Sequence, residues 1–136
     1  MSTCFLDANI FIRYLTNDDT AKADRVEKLL DQAASGKARL LTTELVIAEV
    51  IWVLESFYKL NNIAIGPMVK AILATPGLEV INGALVEKAV EHYLAHNIDF
   101  IDGYIAAVME RYHVSEIFSY DKKHLARIKA IRRREP

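Results

Sequence analysis

Short apolar runs alternate with stretches of helical period along this chain, and that alternation constrains the fold more than any other feature. Residues 3–6, 38–41, 78–81 and 116–119 read as strands, bounded by turn residues or a carboxylate. Between and after the first three lie helical patterns over residues 23–33, 44–60, 66–73, 84–96 and 100–112. Strands and helices in that order build an α/β domain with a mainly parallel, right-handed sheet. Continuous apolar runs suit strands that helices cover on both faces. At 136 residues and 52% hydrophobic, the chain is long enough for a core and too apolar for disorder, so a single domain over 1–136 is expected.

Local signals place the boundaries. Asn17-Asp18-Asp19-Thr20 is a turn and helix start, followed by Ala23, Val26, Leu30 and Ala33 at helical spacing until Gly36. Thr42 or Thr43 can cap the next helix, which is apolar nearly all round and is expected to be central and buried. Asn61-Asn62 interrupts the pattern, and Gly66-Pro67 is expected to begin a shorter helix with Pro67 in its first turn. Pro76-Gly77 and Asn82-Gly83 bracket the third strand, and Asn97 ends the helix that follows it, over residues 84–96. A last short helix is expected to open at Asp121, and Ala130-Ile131 to add an edge strand.

The lone cysteine, Cys4, excludes an intramolecular disulfide and, within an apolar run, reads as a small core residue. No secretory leader is evident, and the apolar stretch 45–54 holds Glu49 and is too short to span a bilayer, so a cytoplasmic protein without a membrane segment is expected. The net charge of −1 is unevenly spread: seven basic residues and no acidic one lie between Lys122 and Arg134. Such a tail attracts phosphates at long range or is simply a solvated terminus.

Four carboxylates carry the chemistry. Asp7 ends the first apolar run, where open α/β sheets bind ligands, although Asp is also common at helix caps. Glu49 is the only polar side chain between Leu45 and Leu54, and a buried carboxylate needs a cation, a shifted pKa or a metal. The plainer reading puts it on one exposed stripe of its helix. Asp99 and Asp102 stand at i and i+3 at a helix start, Asp99 as the natural N-cap and Asp102 flanked by apolar residues. Asp121 follows the fourth strand as Asp7 follows the first, and it too can be a cap. Taken together they suggest one site at one edge of a parallel sheet. Clustered carboxylates need cations, and oxygen-only ligands select Mg²⁺ or Mn²⁺. Such ions suit hydrolysis of phosphate esters.

Asp7 in F-L-D-A-N-I-F, Glu49 in I-A-E-V, Asp102 in D-F-I-D-G-Y-I-A-A and Asp121 in I-F-S-Y-D-K-K-H resemble, in order and spacing, the acidic motifs of PIN-domain ribonucleases. The likeness covers essentially the whole chain and is strongest to VapC-type toxins of type II toxin–antitoxin pairs. It implies a PIN-like three-layer α/β/α sandwich with a mainly parallel central sheet, and an endoribonuclease dependent on Mg²⁺ or Mn²⁺. It implies an acidic pocket of Asp7, Glu49, Asp102 and Asp121, with Asp7 and Asp102 the most regular metal ligands. Asn9 matches a position supporting the first aspartate, and Ser119 one usually held by a hydroxyl. An RNA substrate, a homodimer and a cognate antitoxin whose C-terminal segment enters the site are also implied. Gly103, Tyr104, Tyr120 and Leu125 depart from the usual pattern and bear on substrate choice.

Arg13, Lys122, Lys123 and Arg127 are candidates for contact with the RNA backbone. His92 and His96, at i and i+4, lack a third soft ligand and read as helix surface. His113 and His124 have no Ser or Cys context for a nucleophilic triad, and no glycine-rich phosphate loop occurs. Trp52, Phe57 and Tyr58 read as core, with some surplus apolar surface for a dimer face. The alternatives are a PIN-fold nuclease acting in RNA processing or on DNA, and a catalytically silent PIN-fold interaction module.

Overall fold

A computed structural model describes residues 2–136. The chain divides into two compact units, an N-terminal one up to Gly83 and a C-terminal one from Ala84 to Pro136. Both are built from helices and parallel strands, so the chain is α/β as its alternating pattern predicts.

The N-terminal unit contains a three-stranded parallel sheet in the order β1 (Thr3–Phe5), β2 (Arg39–Thr43), β3 (Leu78–Ile81). The register runs Thr3 to Arg39 and Leu40 to Leu78, and Leu6 extends the first ladder by donating its N–H to the Leu41 carbonyl at 2.8 Å. Thr3, Cys4 and Phe5 of β1, an edge strand of this sheet, are all exposed. Cys4 is therefore not the core residue expected.

Helix α1 (Ala8–Thr16) follows at once, an element beyond those the sequence pattern predicts, and its buried residues Ala8, Phe11 and Ile12 stand at i, i+3 and i+4. Asp7 caps it, and Asn17 closes it in the left-handed conformation (φ 53°), which Asn tolerates. Helix α2 (Thr20–Ala34) starts from the Asp19 cap and buries Ala23, Val26 and Ala33, as the spacing predicts. Gly77, ahead of β3, has φ +79°, and a Cβ there would lie 2.3 Å from the Ala33 carbonyl oxygen. Only glycine lets the chain pass so close to α2.

Helix α3 (Glu44–Ser56) is capped by the Thr43 hydroxyl and packs against α1, α4 and β2. It buries Ile47, Val50, Ile51 and Leu54 on one side. Leu45, Glu49, Trp52 and Ser56 form an exposed stripe at helical spacing. The helix is thus central to its unit but not buried all round, and it ends four residues earlier than the pattern suggested. Trp52 and Phe57, read as core, are exposed. Helix α4 (Asn62–Leu73) begins ahead of Gly66 because the Asn61 side chain accepts the Ala64 N–H at 3.0 Å. Pro67 consequently falls inside the helix, where proline costs about 3 kcal/mol. Burial of Ile65, Val69 and Ile72 on the inner face offsets that cost.

In the C-terminal unit, α5 (Gly83–His96) and α6 (Phe100–Arg111) match the predicted helices, with Asn97 in the left-handed region between them. The rings of Tyr93 and Phe100 meet edge-on at 6.4 Å. Strand β4 (Glu116–Phe118) pairs in parallel with β5 (Arg132–Arg134) in a separate two-stranded sheet. The final strand lies beyond the expected Ala130-Ile131. Ile131 packs instead with Ile98, Ala106 and Ile128, so burial takes the isoleucine and the arginines take the ladder. Glu116 holds Arg132 at 2.7 Å and Arg134 at 3.1 Å, and Arg134 lies over the Phe118 ring. The short helix expected at Asp121 is a 3₁₀ turn at Leu125–Arg127, since the Asp121 carboxylate closes its own turn on the Lys123 N–H. Among the described residues no helix is long and apolar enough to cross a membrane.

Candidate active site

Asp7 and Glu49 belong to the N-terminal unit, and Asp102 and Asp121 to the C-terminal one. Asp7 sits between β1 and α1 with its carboxylate accepting the Ala8 N–H at 2.8 Å. The backbone ahead of it is anchored from the next strand: the fully buried Thr42 donates its hydroxyl to the Leu6 carbonyl at 3.0 Å. Of the two threonines read as caps, Thr43 caps α3 and Thr42 fixes the approach to Asp7. Glu49 lies on the exposed stripe of α3 rather than in the apolar interior, which removes the burial cost its sequence setting implied. Asn9 is exposed on the first turn of α1.

The Arg13 guanidinium reaches Asp18 at 3.1 Å, and the Thr16 and Tyr58 hydroxyls donate to the same carboxylate at 3.1 and 2.6 Å. The Tyr58 hydrogen bond foremost, then Thr16 and Arg13, hold the Asp18 carboxyl below its ordinary value against some desolvation. This hub ties the turn between α1 and α2 to the end of α3. The sequence marks Asp18 only as a turn residue.

In the C-terminal unit Asp99, Asp102 and His124 each offer one ligand atom, all within 4.8 Å of one another. Asp99 occupies the N-cap position of α6 but makes no capping hydrogen bond with its side chain. Asp102, one turn on, is largely buried and lies 2.9 Å from His124 Nδ1 through Oδ2. The start of α6 is held against α5 by the absence of a side chain at Gly103. A Cβ there would stand 2.7 Å from the Ala89 carbonyl oxygen. That contact accounts for the glycine beside the third acid.

Asp121 is held differently. Its backbone N–H donates to the Ser119 hydroxyl at 3.0 Å, and its carboxylate accepts from the Lys123 N–H at 2.8 Å. The Lys123 hydrogen bond foremost, with the His124 N–H and the charges of His124 and Arg133, keeps its carboxyl below the ordinary value despite partial desolvation. Arg133 also donates to the Ser119 carbonyl at 2.7 Å, so Ser119 is held through both its hydroxyl and its carbonyl.

Two carboxylates and an imidazole suit a divalent cation, the carboxylates as hard donors and the ring nitrogen as a borderline one. The donor set therefore fits a metal, though it is not the oxygen-only set expected. His124 was set aside on sequence because it lacks a nucleophile partner. It stands 22 residues from Asp102 in sequence, and only folding joins them. Arg127 donates to the Asn97 carbonyl at 2.5 Å, where a cation complements the C-terminus of α5, while Lys122 and Lys123 are exposed. His92, its side chain mostly covered rather than on the open helix surface expected, meets Glu110 at 2.5 Å and stacks on His96.

The family model of the PIN domain matches residues 4–131. No curated protein matches the chain. Among solved structures the chain is similar to VapC20 of Mycobacterium tuberculosis, described as a toxin that cleaves the sarcin–ricin loop. The identity is 19% and the TM-score 0.40, over 92% of this chain and 94% of that one.

Proposed function

This chain belongs to the PIN domain family, and from that premise we propose that it is a metal-dependent endoribonuclease hydrolysing RNA phosphodiester bonds, the toxin of a toxin–antitoxin pair. The observation that carries the reading is the family match across residues 4–131, a span that contains Asp7, Glu49, Asp102 and Asp121. The convergence of Asp99, Asp102 and His124 supports it independently of any motif. Because one family model runs across both compact units, we take the chain as a single PIN domain.

When bound, Mg²⁺ or Mn²⁺ would supply an activated water and stabilise charge on the phosphate oxygens. Asp7 and Asp102 would hold the ion, with Asp121 completing its ligand set, and Glu49 would orient a water. Asp99 supports Asp102, with His124 fixing the Asp102 carboxylate from the other side. Asn9 and Ser119 support Asp7 and Asp121. Arg13, Lys122, Lys123 and Arg127 face the RNA backbone. A cytoplasmic homodimer and a cognate antitoxin that covers the acids complete the reading.

Purified protein with labelled RNA tests it. Cleavage should stop in EDTA and return with Mn²⁺ or Mg²⁺. Asp7→Asn and Asp102→Asn should each slow it by about 100-fold or more, equivalent to about 2.7 kcal/mol of barrier. Cleavage that persists in EDTA or in both variants sinks the mechanism. A wild type inert with every metal and RNA would mark an interaction module instead.

A further inference from the structure

A groove of about 420 Å³ runs between α1 and α2, in the N-terminal unit. Asn9 and Arg13 line it from α1, and Lys22 and Arg25 from α2, with Ile10 and Val26 among its apolar residues. Asn9 and Arg13 are four residues apart and Lys22 and Arg25 three, so each pair shares one helix face. Among the described residues no carboxylate lines the groove.

Its cations differ in how far they are already satisfied. Arg13 is pinned by Asp18 at 3.1 Å, which aims its guanidinium but offsets its charge. Lys22 reaches Asp19 only at 4.0 Å, with more than half its side chain in solvent. Arg25 is exposed and has no ion pair among the described residues. One end of the groove begins at Asn9, two residues from Asp7. From there to Arg13 the helix rises about 6 Å.

We infer that this groove binds the phosphate backbone of single-stranded RNA as the strand leads away from Asp7, with Lys22 and Arg25 as its principal contacts. The inference deepens the nuclease reading and rests on it for the identity of the strand. Charge favours a polyanion over a neutral ligand, and cations along two helices suit repeated phosphates better than one isolated anion. Asn9 adds neutral hydrogen bonding at the end nearest the acid.

The test measures binding rather than cleavage. A fluorescent single-stranded RNA is titrated in EDTA at several salt concentrations, with its integrity checked on a gel. Neutralising both contacts, as Lys22→Gln with Arg25→Gln, should weaken binding and make the slope of log K against log salt shallower by about 1.4, the value for two lost phosphate contacts on a single strand. Lys28→Gln with Lys37→Gln removes the same charge from exposed positions of the same unit outside the groove, and should leave the slope as in wild type. Circular dichroism verifies that each variant is folded. An unchanged slope in the groove variant, or an equal change in the control, overturns the inference. So does a polyglutamate peptide that binds as tightly as RNA and is lost in the same variant, which would assign the groove to an acidic protein segment. A wild type that binds RNA but never cleaves it sinks the nuclease reading and leaves the groove standing. One that cleaves with metal while the groove variant binds normally does the reverse.

Discussion

Asp7 and Asp121 both follow a short parallel strand, yet the two units hold them by different means. Around Asp7 the support is neutral and buried: Thr42, wholly inside, fixes the Leu6 carbonyl one residue ahead, and the carboxylate itself only caps α1. Around Asp121 the support is half-exposed and charged: Ser119 receives the Asp121 N–H, Arg133 clamps the Ser119 carbonyl, and the carboxylate closes its own turn. Asp102, in the same unit as Asp121, combines both styles, with a helix start locked by Gly103 and a carboxylate met by His124. An identical sequence signature, a strand followed by an acid, can thus be secured through backbone burial or through local hydrogen bonds and ions. The first resists salt, and the second is sensitive to it.

The largest effect in this comparison is expected at Gly103. Its replacement by alanine forces a Cβ against the Ala89 carbonyl and should destabilise the protein by about 2–3 kcal/mol, read by urea unfolding. A near-neutral Gly103→Ala would mean that α6 can shift away from α5 at little cost, so that Asp102 is not rigidly placed. Thr42→Val should come next, at about 2 kcal/mol, because it leaves the Leu6 carbonyl buried without its donor. Ser119→Ala should cost less, about 1 kcal/mol, since water can reach that half-buried turn. If the serine change proves the costlier of the two, the contrast between buried and exposed support fails.

The smallest effect tests the Asp18 hub. Tyr58→Phe removes the strongest of the hydrogen bonds that lower the Asp18 pKa. A carboxylate whose folded pKa lies below its ordinary 3.8 contributes stability above that value and loses it as the pH falls through the folded pKa. The variant should therefore melt slightly below wild type at neutral pH, and the gap should close on acidification below pH 3.8. A gap that persists in acid would assign the loss to packing of the Tyr58 ring.

Much of this was legible in the residues. The α2, α5 and α6 helices announced themselves by apolar spacing and by Gly36 and Asn97 at their ends. The strands at 3–5 and 78–81 were visible as short apolar runs. What escaped is instructive. Helix α1 is masked in the sequence because Asp7 fits a ligand as well as an N-cap, and only its buried spacing of Ala8, Phe11 and Ile12 separates the two. Glu49 looked buried because apolar residues surround it in sequence. Leu45 and Trp52, at matching positions one turn either side, share its exposed stripe. The final strand was misplaced because β propensity favours isoleucine over arginine, while the core claimed Ile131 and Glu116 paired the arginines.

By itself the sequence determined the class of fold, most helix ends, and the likeness to the PIN domain family, because periodicity and capping are local and carboxylates are rare inside apolar runs. Tertiary structure alone decided which side chains meet. His124 joins Asp99 and Asp102, Thr42 rather than Thr43 steadies the approach to Asp7, and Arg13, Lys22 and Arg25 line one groove. Each pairing spans residues far apart or on different elements. Such contacts depend on how helices and strands pack, and no spacing along the chain encodes that packing.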